Sequence, residues 1–257
     1  MTPSTFKDHF SDHAGAYARA RPSYPDELFA WLAQACPARA WVWDCATGNG
    51  QAARGLARHF ARVEATDASA EQIRHAHGPD NVRFRVATAE VSGLPGASVD
   101  AVFVGQALHW FDHERFYAEV RRVVRPGGLL AVVGYVAART TPTIDALVRR
   151  LYRDISGPYW PPERAYLERG YAASLPFPFP RLDPPPVQHT CRWAAADMLA
   201  YLRTWSASRR YEAAQGVDPV SLIASELRAA WGPETRTVTW DLEVLVGRVG
   251  PAKTPPG

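Results

Sequence analysis

Asp44-Cys45-Ala46-Thr47-Gly48-Asn49-Gly50 is the stretch that decides the fold. It follows Trp41-Val42-Trp43, a short β-rich run, and it precedes Gln51–Phe60, whose pattern predicts a helix. A glycine-rich turn between a strand and a helix lets backbone approach a ligand closely, at the crevice beyond the strand ends where open α/β sheets bind. Outward from the turn the alternation continues. Strands are predicted at Val63–Thr66, Val82–Val86, Val99–Val104 and Leu129–Val136, the last announced by the turn Pro126-Gly127-Gly128. Helices are predicted at Ala70–Ala76 and His113–Val124. Strands and helices at this spacing argue a mostly parallel α/β sheet, Rossmann-like, covered on both faces.

The flanks differ from this core. Residues 1–39 read as a helical lid, with Pro25 at a first-turn position and Leu28, Phe29 and Leu32 forming an apolar stripe. Residues 40–137 are expected to form the sheet-bearing core that carries the glycine turn. From 138 to 234 a helical cap is expected, with helices at Thr143–Ile155, Ala195–Trp205 and Pro219–Trp231 separated by the proline clusters Pro158–Pro162 and Pro176–Pro186. One strand, Val187–Trp193, lies within it. The alternating run Thr235–Val249 is expected to return to the sheet edge as a seventh, antiparallel strand, within a segment 235–250, and 251–257 reads as a tail.

Composition bounds the function. The chain has 257 residues, 47% hydrophobic and 21% charged, with a formal net charge of +3. That charge is too small to predict a polyanionic partner, and the arginine pairs sit on helical patterns among acids, so neither nucleic acid nor an obligate protein partner is expected. The longest uncharged apolar run, Leu129–Ala138, is too short to span a bilayer. Cys36, Cys45 and Cys191 are odd in number and in no ligand pattern, so a reducing, cytoplasmic setting is expected and no metal.

Asp67 lies just past the second strand, seventeen residues beyond Gly50. A carboxylate there can accept both hydroxyls of a ribose. Two cofactor classes fit this spacing. Gly48-Asn49-Gly50-Gln51-Ala52-Ala53 also spells a dinucleotide fingerprint, which keeps an NAD-type oxidoreductase open.

Further segments separate the two. Ala89-Glu90 with Leu94-Pro95, Gln106-Ala107-Leu108-His109-Trp110-Phe111 and Arg125-Pro126-Gly127-Gly128 follow the Asp44–Gly50 run and Asp67 in order. The sequence thereby resembles the class I S-adenosylmethionine-dependent methyltransferases. In particular it resembles the type 11 branch that includes trans-aconitate methyltransferase-like proteins. Tyr17–Pro25 and Tyr201–Ala207 look like that branch's lead-in and cap segments.

The resemblance implies roles. Asp44 would hold the methionine ammonium of S-adenosylmethionine, directly or through water. Ala46, Gly48 and Gly50 would form the turn beside the cofactor, Asp67 would take the ribose, and Ala89 and Glu90 would flank adenine. Gln106 and His109 would lie where the methyl points. Tyr17, Arg21 and Tyr24 would belong to a lid that excludes water, and Trp110 and Trp205 would face the pocket. Two positions depart from the family's pattern. Ala46 replaces a usual glycine and is disfavoured if its φ is positive. Thr88 replaces a usual acid before Ala89.

The reaction implied is direct methyl displacement onto a small-molecule acceptor. A carboxylate acceptor needs no base, and Arg21, Arg139 and Arg203 are then candidate clamps. For an amine or hydroxyl, His109 is the leading base. A catalytically inactive cofactor-binding scaffold on the same fold is the other reading left open.

Overall fold

Residues 24–250 are described by a computed structural model. Most of the expected lid, including Tyr17 and Arg21, and the tail 251–257 lie outside the described residues.

Five strands make the parallel part of the sheet: β1 (Trp41–Cys45), β2 (Arg62–Asp67), β3 (Val82–Val86), β4 (Val99–Gly105) and β5 (Val124–Gly134). Their order is β3-β2-β1-β4-β5, which reverses direction between β1 and β4. The crevice at such a switch point is where open sheets bind ligands. Side chains alternate between two covered faces, which is why the strands read as nearly continuous apolar runs. On one face Val42, Ala65 and Phe103 pack with Leu28, Phe29 and Leu32 of α1 (Asp26–Ala35) and with Ala53 and Leu56 of α2 (Gln51–Leu56). On the other, Trp43, Val102 and Val132 pack with Phe116, Val120 and Val123 of α4 (His113–Val123). Between them in sequence, α3 (Ala70–His75) is capped by the Ser69 hydroxyl, which accepts from the Gln72 N–H.

The final strand β8 (Arg236–Arg248) pairs antiparallel with β5, as expected. The sheet has eight strands rather than seven. At 13 residues β8 outruns β5, and its remaining length pairs with β6 (Arg181–Leu182) and β7 (Val187–Trp193). The short β6 lies inside the proline cluster Pro176–Pro186, where no strand is predicted from the sequence. Pro126-Gly127-Gly128 is likewise not a turn before β5 but a bulge within it, where the register against β4 shifts. Pro25 is the N-cap of α1 rather than a first-turn residue.

After β5 the chain forms α5 (Pro142–Arg149), which continues into the π-helical turn Arg150–Ile155. Two short helices, α6 (Arg164–Glu168) and α7 (Tyr171–Ser174), follow, then α8 (Ala195–Arg203), α9 (Ser206–Gln215) and α10 (Ser221–Trp231). Neither α6 nor α7 is predicted from the sequence. Ile144, Leu151, Leu202, Ile223 and Trp231 join Val238 and Trp240 of β8 in a separate apolar cluster. This cluster fixes the cap over one end of the sheet.

Candidate active site

A cavity of about 600 Å³ opens at the C-terminal ends of the parallel strands, with the cap as its far wall. The turn after β1 forms part of its floor. Ala46, Gly48 and Gly50 all have positive φ, 57°, 58° and 88°. The turn is pinned from β2: the Thr47 N–H donates to the Thr66 carbonyl at 2.8 Å, and the Gly48 N–H donates to Asp67 Oδ2 at 2.9 Å. The other oxygen of Asp67 accepts from the Ser69 N–H at 2.9 Å. Asp67 therefore lines the cavity and also builds the turn that forms it.

Of the expected cofactor residues, Ala46, Gly48, Asp67, Ala89, Glu90 and Gln106 line this cavity. Two do not. Asp44 is 1% exposed beneath the turn, where the Thr47 hydroxyl donates to it. Burial above all, with the charge of Asp67 adding, pushes its carboxyl up to about 7 against the opposing Thr47 and Ala53 contacts. Thr47 stands between this carboxylate and the cavity. Gly50 caps α2, and a Cβ there would stand 2.8 Å from the Phe84 ring, so its glycine serves the packing of α2 on β3.

The turn carrying Ala89 and Glu90 is fixed from below. Glu119 accepts from the Ser92 N–H at 2.9 Å while paired with Arg122 at 2.7 Å. Glu90 itself accepts from the Asp112 N–H at 3.1 Å. Gln106, at the end of β4, is held in the left-handed region at φ 58°. Its Nε2 donates to the Tyr135 carbonyl at 2.8 Å, which orients the amide, and its buried Oε1 has no hydrogen-bond partner. An orphaned acceptor in a cavity wall is matched by a ligand donor.

His109 also lines the cavity and is 7% exposed. Its ring packs on Trp110, and its Nδ1 lies 2.6 Å from the Tyr171 hydroxyl. Burial pushes the Tyr171 phenol well above its usual range, so it keeps its proton. A phenol that keeps its proton can donate it to Nδ1, an arrangement that places the imidazole hydrogen on Nε2. His113, four residues beyond His109, places Nε2 3.0 Å from the Leu108 carbonyl.

The acceptor-side expectations fare differently from one another. Trp110 and Trp205 line the cavity. Tyr24 does not; it packs edge-on against Phe29 and Phe103, with its hydroxyl against Gly105. Arg139 and Arg203 are not on the wall either. Both are spent in surface ion pairs, Arg139 with Asp241 at 2.6 Å and Arg203 with Asp218 at 2.8 Å. Sequence reasoning missed Tyr135, Trp160, Arg164 and Tyr201 on the wall. Trp160 and Arg164 sit in and beside the cluster Pro158–Pro162, where a large aromatic between prolines was the available signal.

The methyltransferase-domain family model matches residues 43–132, the span from β1 into β5. A Dictyostelium discoideum protein described as a methyltransferase is 33% identical over 234 residues, covering 90% of this chain and 89% of its own. The chain belongs to the class I methyltransferases. A solved structure from Anaeromyxobacter dehalogenans, described as a type II methyltransferase, is 48% identical with a TM-score of 0.83 and covers 90% of this chain and 99% of its own. An uncharacterised Mycobacterium tuberculosis methyltransferase is 42% identical over 126 residues, about half of each chain, 48% and 51%.

Membership resolves the choice left open at the glycine turn: the cofactor of this methyltransferase is S-adenosylmethionine. The residues present fit it. A cavity-lining carboxylate stands at Asp67 where a ribose is expected, the Gly48 turn leaves room for close approach, and the Gln106 oxygen awaits a donor. No helix among the described residues is long and apolar enough to cross a membrane.

Proposed function

We propose that this methyltransferase acts on a small-molecule carboxylate held in the cap-side half of the cavity. The observation that carries the reading is the 2.6 Å contact between the Tyr171 hydroxyl and His109 Nδ1. With the phenol as donor in that contact, neither ring nitrogen has a lone pair left to act as a base, which favours an acceptor that is already ionised at neutral pH.

Bound S-adenosylmethionine supplies a methyl group on a positively charged sulfur, open to in-line attack. The chain's residues supply position. Asp67 receives the ribose hydroxyls, Ala89 and Glu90 flank the adenine, and the Gln106 oxygen accepts from the amino-acid end. Trp110, Trp160 and Trp205 wall off water at the acceptor side. Holding both reactants in one desolvated geometry is where most of the acceleration arises. The segments Tyr17–Pro25 and Tyr201–Ala207 support a place in the trans-aconitate methyltransferase-like branch. The unpaired Cys36, Cys45 and Cys191 fit a cytoplasmic setting.

The test is transfer of labelled methyl from S-adenosylmethionine to a panel of carboxylic acids and their matched alcohols and amines. Products that release labelled methanol in alkali are methyl esters and support the reading. Turnover confined to the alcohols or amines overturns it.

A further inference from the structure

At the cap end of the cavity stands an arginine that no acid claims. Arg164 begins α6, and its guanidinium is fixed on two sides: Nε donates to the Tyr152 hydroxyl at 3.0 Å and Nη2 to the Val136 carbonyl at 3.1 Å. It lies over two rings, 4.8 Å from the centre of Trp160 and 5.6 Å from that of Tyr152. The Tyr152 hydroxyl donates its own hydrogen bond to Glu168, so that carboxylate sits behind the tyrosine rather than on the arginine. Glu163, the neighbouring acid on the wall, makes no ion pair with Arg164 and has an interaction of its own elsewhere. Among the described residues no acceptor takes either hydrogen of Nη1 or the second hydrogen of Nη2, which leaves the outer edge of the fork open.

That edge is the one that grips a carboxylate with two parallel hydrogen bonds. Restrained by two hydrogen bonds and a ring stack, the guanidinium loses little freedom on binding. Arg115, the other arginine on the wall, is an exposed residue of α4 next to Asp112 at the cofactor end. The surfaces around Arg164 are aromatic: Trp160, Trp205, Tyr201 and Tyr135.

We propose that Arg164 is the anion anchor of the acceptor subsite, and that the acceptor is a flat, conjugated monocarboxylate seated among these rings with its carboxylate on the guanidinium edge. The proposal rests on the methyl-transfer reading above and adds the residue that recognises the acceptor and the shape of what it recognises. One unclaimed guanidinium, among the described residues at that end, matches one carboxylate. The aromatic wall matches a planar body better than a highly charged chain.

The wall's tryptophans provide the readout. With S-adenosylhomocysteine bound, the full chain is titrated with cinnamate, cinnamamide and citrate while tryptophan fluorescence is followed. Cinnamate should saturate at least about tenfold more tightly than its amide and more tightly than citrate, a difference expected of a charge-assisted bidentate pair. Arg164→Gln should weaken cinnamate by about tenfold or more and leave cinnamamide unchanged. Arg164→Lys, which keeps the charge but loses the fork, should fall between.

Equal affinity for cinnamate and cinnamamide, tighter binding of citrate, absence of any saturable cinnamate response, or cinnamate affinity unchanged in both variants each overturns the proposal. Retained S-adenosylhomocysteine affinity certifies that a variant is folded; if the glutamine variant loses it, the lysine variant decides. Failure of the wild-type chain to bind S-adenosylhomocysteine would instead sink the methyl-transfer reading.

Discussion

The Tyr171 hydroxyl stands 2.6 Å from Nδ1 of His109, joining two residues 62 positions apart in the chain. The Tyr171 N–H in turn donates to Glu243 of β8 at 2.7 Å. A short helix anchored to the last strand thus brings a phenol against an imidazole that follows β4. In nitrogen NMR of the wild type, His109 should be the Nε2–H tautomer at neutral pH. Tyr171→Phe removes the donor, which should cost about 1–3 kcal/mol in chemical denaturation because a buried ring nitrogen loses its partner, and should release the tautomer preference. A wild-type Nδ1–H ring would overturn the assignment and restore His109 as a base.

Asp67 lines the cavity and also holds the turn. Asp67→Ala should weaken S-adenosylhomocysteine binding by roughly ten- to a hundredfold, the worth of one or two charge-assisted hydrogen bonds. It should also lower stability, since the Gly48 and Ser69 N–H groups lose their acceptor. Calorimetry and denaturation separate the two effects. An unchanged dissociation constant in a folded variant removes Asp67 from the site.

Ala46 holds φ at 57°, in the region that glycine adopts without cost. A non-glycine residue there is disfavoured by about 1–2 kcal/mol, and glycine returns part of that through its more flexible unfolded chain. Ala46→Gly should therefore stabilise the protein by up to about 1 kcal/mol in urea denaturation. A loss of stability would mean that the methyl group contributes packing that outweighs the backbone term.

Asp44 makes stability depend on pH. Its folded carboxyl, raised by burial to about 7 from an ordinary 3.8, prefers the protonated state. Its contribution is fully present below 3.8 and is lost as pH rises to about 7, because the unfolded chain ionises freely while the folded one resists. Asp44→Asn keeps a neutral group in place. The variant's stability relative to wild type should rise across that window, by on the order of 4 kcal/mol at most. A difference that stays constant with pH would show that Asp44 ionises normally in the fold.

The cavity residues at the strand ends were legible because they sit at fixed places in a local pattern. Gly48 and Gln106 follow a strand and Asp67 ends one, and a strand end in a parallel sheet points at the crevice. Asp44 belongs to the same pattern but is covered by Thr47, a contact three residues away that depends on the turn's positive φ angles. The acceptor half was far less legible. Arg139 and Arg203 were plausible by position alone, yet Asp241 and Asp218 neutralise them at the surface.

By itself the sequence determined the alternating elements, the parallel sheet with its antiparallel last strand, the glycine turn and the acid that follows β2. Each of these is set by local periodicity and backbone preference, which neighbouring residues carry. Only the tertiary structure decided which side chains face the cavity from the cap, which side chain meets His109, and which arginine on the wall is left without an acid among the described residues. Those outcomes depend on partners tens of residues away, such as Tyr171 for His109 and Val136 for Arg164, brought together by packing of the cap on the sheet.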